Sequence, residues 1–231
     1  FRNIIINGDM SIAQRGTSAT GITTTGYHTI DRMRYGLLNF GTWTVSQSTD
    51  VPSGQGFANS FKLDCTTADP SLGSANYAFL NYNIEGQDLQ YLKKGTSNAE
   101  SLTLSFWTKS NKTGTYTFEL DDNDNNRSIS KTYTVDSANT WEKKTITIEG
   151  DTTGTLDNDN NTSLRFYFWL GAGSDYTSGT LQTSWQSTTD ANRVSSSNVN
   201  LGDSTDNEWY ITGIQLEAGT TASDFEFLPH D

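Results

Sequence analysis

The stretch SLTLSFWTKS (Ser101–Ser110) sets the period on which the whole chain is built. Leu102, Leu104 and Phe106 fall on one side and small polar residues on the other, the mark of a half-buried β-strand. Just downstream, GTYTFEL repeats the pattern with Tyr116, Phe118 and Leu120, and KTYTV and TITIE follow it. SLRFYFWL puts Leu164, Phe166 and Phe168 on one face and Arg165, Tyr167 and Trp169 on the other, so both of its sides are expected to be covered. Further strand candidates are NIIIN, DRMRYG, TWTVSQS, NSFKLDC, YAFLNYNI, EWYITGIQLE and FEFL, while only DLQYLKK (Asp88–Lys94) reads as helical, for about two turns. About a dozen short strands with turn-rich segments between them predict an all-β fold, an antiparallel β-sandwich of jelly-roll type with one short helix. No Pro/Gly linker or charge run divides residues 1–231, which are therefore expected to form a single domain.

The composition agrees. Of 231 residues only 18% are charged and 33% hydrophobic, yet 12% are aromatic, enough large apolar groups to offset the entropy of ordering the chain. The formal net charge of −12 repels phosphate backbones and anionic lipid, which argues against a nucleic-acid partner. Membrane insertion is not expected either, because no apolar run approaches the roughly 18 residues a spanning helix needs. Cys65 is the single cysteine and has no intramolecular disulfide partner. The start at Phe1, without a charged-then-apolar leader, leads to the expectation that this is a piece of a longer polypeptide.

DNDNN occurs twice, at Asp122–Asn126 and Asp157–Asn161. An EF-hand loop needs Gly at its sixth position and Glu at its twelfth. Counted from Asp121 these are Asn126 and Thr132; counted from Asp157 they are Thr162 and Phe168. Both copies fail, and both are expected at hairpin tips, where Asn and Asp favour turns. A looser calcium site at either turn is the alternative.

Catalytic chemistry finds little support, and no catalytic residue is assigned. His28 and His230 are the only histidines, too few for a His-rich zinc site, and no G-x-S-x-G elbow, Walker loop or dinucleotide fingerprint is present. Cys65 has strand-like neighbours and reads as a small buried apolar residue. Glu119 and Glu208 are the carboxylates a glycosidase would draw on, although carboxylates on strand faces are ordinarily just solvated. Trp107, Trp141, Trp169 and Trp209 lie in strands and read as packing residues. Trp185 and Tyr176 belong instead to a long polar stretch, Gly171 to Asp206, where a sandwich would carry an elaborated loop. They are the candidate glycan-binding residues, since sugars stack flat C–H faces on such rings.

The two ends of the chain are its most distinctive parts. NIIINGDMSIAQRGT opens it and NEWYITGIQLEAGTTASDFEF closes it. The pair, with YHTIDRMRYG, SFKLDCTTAD, LTLSFWTKSNKTGTYTFEL and SANTWEKKTITIEGDTTGT between them, resembles a family of phage tail-fibre and other virion-associated domains. The resemblance implies a jelly roll related to carbohydrate-binding modules and galactose-binding-like domains, displayed on a virion, with a marine or cyanobacterial phage as the source. It implies a host-surface glycan and other virion proteins as partners, and a homotrimer, since fibres are generally trimeric. The alternative is a purely structural capsid-decoration or connector domain, and a polysaccharide-degrading enzyme ranks behind both. No cofactor is required. Many carbohydrate-binding jelly rolls hold a structural calcium between first and last strands, which here would fall to Asp9 and Glu217, although Thr212 and Gly213 stand where an Asp is wanted.

Overall fold

Leu102, Leu104 and Phe106 are at most 5% exposed and face the interior from a strand, Leu102–Ser110, whose Trp107 and Lys109 point outward. The computed structural model describes residues 2–227. Within them twelve strands form two six-stranded sheets. In chain order these are β1 (Ser18–Ile22), β2 (Arg34–Leu38), β3 (Thr42–Ser48), β4 (Ser60–Thr67), β5 (Tyr77–Glu85), β6 (Leu102–Ser110), β7 (Gly114–Asp122), β8 (Arg127–Val135), β9 (Glu142–Ile148), β10 (Thr162–Ala172), β11 (Gln186–Ser187) and β12 (Glu208–Ala218). The first sheet runs β1-β3-β4-β12-β6-β9 and the second β11-β8-β7-β10-β5-β2, with every strand pair antiparallel. The fold is an all-β jelly-roll sandwich.

The core lies between the sheets. Phe106, Trp209 and Leu216 from the first meet Phe118, Phe166 and Phe168 from the second, and all are fully buried. Phe168 sits at the junction, edge-on to Phe106 at 4.9 Å and 6.2 Å from Trp209. Each such side chain contributes about 1.5–3 kcal/mol on burial, so the alternation that marks the strands also supplies the packing energy. Cys65 is among these buried residues, and burial, helped by the Asp64 charge, pushes its thiol up to about 11. Its side chain packs within the core.

Several local expectations are corrected. Asp88–Lys94 forms no α-helix but two successive 3₁₀ turns, Gly86–Asp88 and Gln90–Leu92, closed by Lys93 in the left-handed region (φ 52°). A single α-helical turn, α1 (Ser174–Thr177), occurs instead in the long polar stretch. NIIIN makes no regular strand. It lies against β12 through one ladder bond, Ile4 N–H to Leu216 O at 2.9 Å, and the Asn3 side chain replaces the others, accepting from Leu216 N–H and donating to Ile214 O. Gly8 continues the contact by accepting from Ile214 N–H, so closely that a β-carbon there would stand 2.1 Å from Ile214 O. Phe225–Phe227 of FEFL form no strand either, and Leu228 lies outside the described residues: Phe225 and Phe227 pack on Phe57, with ring centres 5.1 and 5.2 Å away. The short edge strands β1 and β11 carry no clear alternation and escape sequence reading.

The repeated DNDNN string has two different roles. The first copy is the β7–β8 hairpin tip, with Asp122 opposite Arg127 and Asn126 at φ 51°. The second is no hairpin tip, because the strand before it (β9) and the strand after it (β10) belong to different sheets. It is a crossover that ends beside the first copy, where Asp124 Oδ2 accepts from Asp157 N–H at 2.9 Å.

Candidate functional site

The outward residues of the second sheet form transverse rows fixed by strand register. Gly36 on β2, Phe79 on β5, Trp169 on β10 and Thr117 on β7 make one row; Arg34, Asn81, Tyr167 and Glu119 make the next; Asn83, Arg165 and Asp121 make a third. These are the positions left over when Leu164, Phe166 and Phe168 turn inward, so one alternation builds both the core and the outer face. From Tyr77 to Glu85 the face extends about 26 Å at ~3.3 Å per residue.

The β7–β10 side of this face is covered by the long polar stretch, as the two-sided pattern of β10 foretells. Val194 and Tyr176 pack there against Trp169, Tyr167 and Phe79, forming a second hydrophobic cluster outside the main core. Trp169 is therefore buried, at 1% exposure, but not between the sheets. Glu119 anchors the cover. Fully buried, it accepts from Arg193 at 2.8 and 3.1 Å and from the Trp169 indole N–H at 2.9 Å. Burial raises the Glu119 pKa, and the Arg193 guanidinium pulls it back part of the way. Arg193 also lies over the Tyr167 and Trp169 rings, 5.3 and 5.2 Å from their centres.

Two hollows remain open. The first, about 160 Å³, is walled by Tyr77, Phe79, Tyr167, Trp169, Tyr176 and Arg193. Tyr77 and Phe79 stack at 5.1 Å, and Tyr176 stands edge-on to Tyr77 at 5.8 Å. The second, about 300 Å³, opens toward the other end of β5 among Arg15, Tyr27, Arg32, Asn83, Glu85 and Asn160. Tyr27 is 39% exposed and carries the Arg15 guanidinium over its ring at 5.6 Å. Between the hollows Asn81 is buried; it accepts from Arg34 at 3.4 Å and donates to Asn83 at 3.2 Å. Beside it Arg165 pairs with Asp121 at 2.6 Å. The arrangement is a strip with ring-lined ends and a polar middle.

Tyr176 belongs to this strip, and Trp185 does not. Trp185 is half-buried against the main core at the edge of the sandwich, where its indole N–H donates to Glu149 O at 2.8 Å and Lys94 Nζ sits 5.2 Å above its ring. Lys94 is itself buried, pairs with Asp122 and Asp151, and donates to the Thr153 and Gly154 carbonyls. Arg127 completes the cluster with a bidentate bond to Asp151 at 2.7 and 3.0 Å. Asp9 accepts from Ser11 Oγ, whereas Glu217 is occupied by Ser223 and Gln215. Among the described residues no three His, Cys, Asp or Glu side chains gather as a metal would need.

Glu119 and Glu208 lie on opposite faces of the molecule. Glu119 projects from the second sheet, and Glu208 projects from the first, where it pairs with Lys62 and Tyr210. They do not flank a common cleft. His28 bonds to Thr24 O, and burial lowers its pKa; His230 lies outside the described residues. The sequence did not single out Tyr77, Phe79, Asn83, Tyr27 or the arginines around them. Their signal was available in the outward phase of YAFLNYNI, but it could not be joined to Arg15, Tyr27 and Arg32 without the β2–β5 register.

No protein-family model matches the chain, and no curated protein matches it in sequence. Solved structures share its chain path. The enzymatically active domain of tailspike protein 4 from bacteriophage CBA120 is 15% identical over 94% of this chain, with a TM-score of 0.47, and this chain spans only 21% of that one. A xylan-binding domain from Paenibacillus barcinonensis is 18% identical, with 82% of this chain and 92% of that one covered and a TM-score of 0.41. A family 11 carbohydrate-binding module from Clostridium thermocellum, in complex with a mixed-linked tetrasaccharide, is 15% identical, with 90% and 99% covered and a TM-score of 0.37. The likeness is one of fold, and no ligand is carried over from it.

Proposed function

We propose that this domain is a non-enzymatic carbohydrate-binding module that lays a host-surface glycan along the outer face of the second sheet. The observation that carries the reading is the strip itself: tyrosine rings open at both ends, Tyr77 and Tyr176 at one and Tyr27 at the other, where the amides of Asn83 and Asn160 line the same hollow. Sugars offer flat C–H faces to such rings and hydroxyls to such amides. The separation of Glu119 from Glu208 favours holding over hydrolysis, because glycoside cleavage needs two carboxyls about 5–10 Å apart. The place of the domain, on a phage tail fibre or another virion appendage among other virion proteins, is supported by the motifs at the two ends of the chain. A homotrimer would turn weak single-site sugar contacts into avidity.

The test is a glycan array and a host-cell binding assay on the isolated domain, with Tyr77→Ala, Tyr176→Ala and Trp185→Ala alongside. Glycan binding that weakens in the two tyrosine variants supports the reading. A folded domain that binds no glycan overturns it.

A structural connector is favoured by one feature of the first sheet. Phe57, Phe225 and the half-exposed Phe227 line a cleft of about 290 Å³ on its outer side, and apolar surface of this kind marks protein contacts. Assembly lost on Phe227→Ser with sugar binding intact would show that this surface serves protein contacts.

A further inference from the structure

Arginine is concentrated on one face of this acidic protein. The chain carries 27 acidic and 15 basic residues, seven of them arginine. Five of those seven, Arg15, Arg32, Arg34, Arg165 and Arg193, lie on the strip of the second sheet. Three are matched to carboxylates: Arg15 to Asp31, Arg165 to Asp121 and Arg193 to Glu119. Arg32 and Arg34 have no carboxylate partner among the described residues. Arg32 lies near the Tyr82 hydroxyl, and Arg34 donates to Asn81 at 3.4 Å.

Most other basic residues of the described chain are in ion pairs, the exposed Arg2 and Lys143 excepted. Seven of the eight lysines are in ion pairs, and the eighth, Lys143, is an exposed residue on the first sheet. With acids in such excess a guanidinium finds a carboxylate easily, yet Arg32, on the wall of the second hollow, and Arg34, two residues on and opposite Asn81, remain unmatched among the described residues. Arg presents a planar fork of N–H donors that fits a carboxylate bidentately. Neutral sugar hydroxyls need no such concentration of charge.

We propose that the strip is selective for acidic polysaccharide, with Arg32 and Arg34 receiving the carboxylates of uronate sugars while the tyrosines take the ring faces. This inference rests on the glycan-binding reading and narrows its ligand class. The arginines already matched to acids hold the face in shape, and the two unmatched ones supply the charge contact. Because much of the face is neutralised internally, binding weakens with salt by the equivalent of about two contacts, not five.

The experiment compares a galacturonate hexamer with its carboxyl-reduced, neutral counterpart by titration calorimetry on the full chain. Native protein, Arg32→Gln, Arg34→Gln and, as an opposite-face control, Lys143→Gln are each checked for an unchanged melting temperature. The expected result is binding at least about tenfold tighter for the acidic hexamer, the range of a charge-assisted hydrogen bond. That preference falls about tenfold in each arginine variant and persists in Lys143→Gln, while the neutral hexamer is unaffected throughout. Equal affinity for the two hexamers overturns the inference and leaves the glycan reading standing. Equal affinity for a sulfated galactan overturns the carboxylate assignment in favour of general anion capture. Failure to bind any of the three probes overturns the inference, and a glycan array that is also blank removes the reading beneath it.

Discussion

Gly36 lies directly opposite Phe79 in the β2–β5 ladder, and a β-carbon at position 36 would stand 2.2 Å from the Phe79 ring. The aromatic ring thus occupies the space a side chain on β2 would fill. The floor of the ring-lined hollow exists because one residue of the neighbouring strand has no side chain. Gly36→Ala is expected to cost about 1–3 kcal/mol through overpacking and to weaken glycan binding as Phe79 shifts. The double variant with Phe79→Leu should recover much of the stability but not the binding, a non-additivity that thermal denaturation can measure.

Tyr77 and Tyr176 present half-buried rings to the same hollow. Their replacement by Ala should weaken glycan binding about two- to tenfold each, the scale of a single aromatic contact at ~0.5–1.5 kcal/mol. Trp185→Ala is expected to lower the melting temperature and leave affinity alone, because its ring is spent on Lys94 and its N–H on Glu149. Calorimetry on the three variants separates the two outcomes.

Lys94 and Asp122 form a buried pair, with side chains 6% and 0% exposed. Removing one partner leaves the other charge without compensation, so Lys94→Met should cost about 3–5 kcal/mol. The double variant Lys94→Met/Asp122→Leu should cost less than Lys94→Met alone. Chemical denaturation of the single and double variants tests this order.

Acid should unfold the domain through its paired carboxylates. Burial raises the Asp151 pKa, but Arg127, the Thr153 N–H and Lys94 outweigh it and hold the group below its ordinary value. Glu217 is likewise depressed: its burial is outweighed by bonds from Ser223 and Gln215. A depressed folded-state pKa contributes stability that is present above the unfolded value and lost as pH falls through the folded one. Stability should therefore hold down to about pH 4 and decline below it. Asp151→Asn should flatten that decline; an unchanged acid limb would contradict the assignment.

Asp64 runs the other way. It faces Glu208 across the β4–β12 ladder, and burial together with that neighbouring carboxylate raises its pKa despite Lys62 nearby. A raised carboxyl loses its stabilising contribution as pH rises through the folded value. Asp64→Asn should raise the melting temperature at pH 7 more than at pH 4, as a scan at the two pH values would reveal.

The fold was legible where alternation was clean. β6, β7 and β10 followed directly from Leu/Phe periodicity, because the sheets are half-buried and a strand of period two records its own burial. Asn3–Asn7 misled because its apolar run marks burial truly, while its hydrogen bonds run through the Asn3 side chain and not through a ladder. The second DNDNN misled for a different reason: turn chemistry marks a change of direction and does not say whether the next strand stays in the same sheet. Tyr176 and Trp185 were both singled out for their place in a polar loop, and that loop crosses from the face to the edge between them. Phe79, Asn83 and the arginines were hidden because the face joins β2, β5 and β10, segments far apart in the chain. Only register makes Gly36 and Phe79, or Arg34 and Asn81, neighbours.

The position of β12 has a consequence for synthesis. The last strand of the described chain lies in the middle of its sheet, between β4 and β6, and it also carries the contacts of Asn3 and Gly8. As the polypeptide leaves the ribosome, β1, β3 and β4 on one side and β6 and β9 on the other have no strand to join them. The opening residues must wait some two hundred positions for their partner. Such non-local pairing is slow, and the first sheet of this domain cannot close before β12 has been made, so that half of it is held open until its centre arrives.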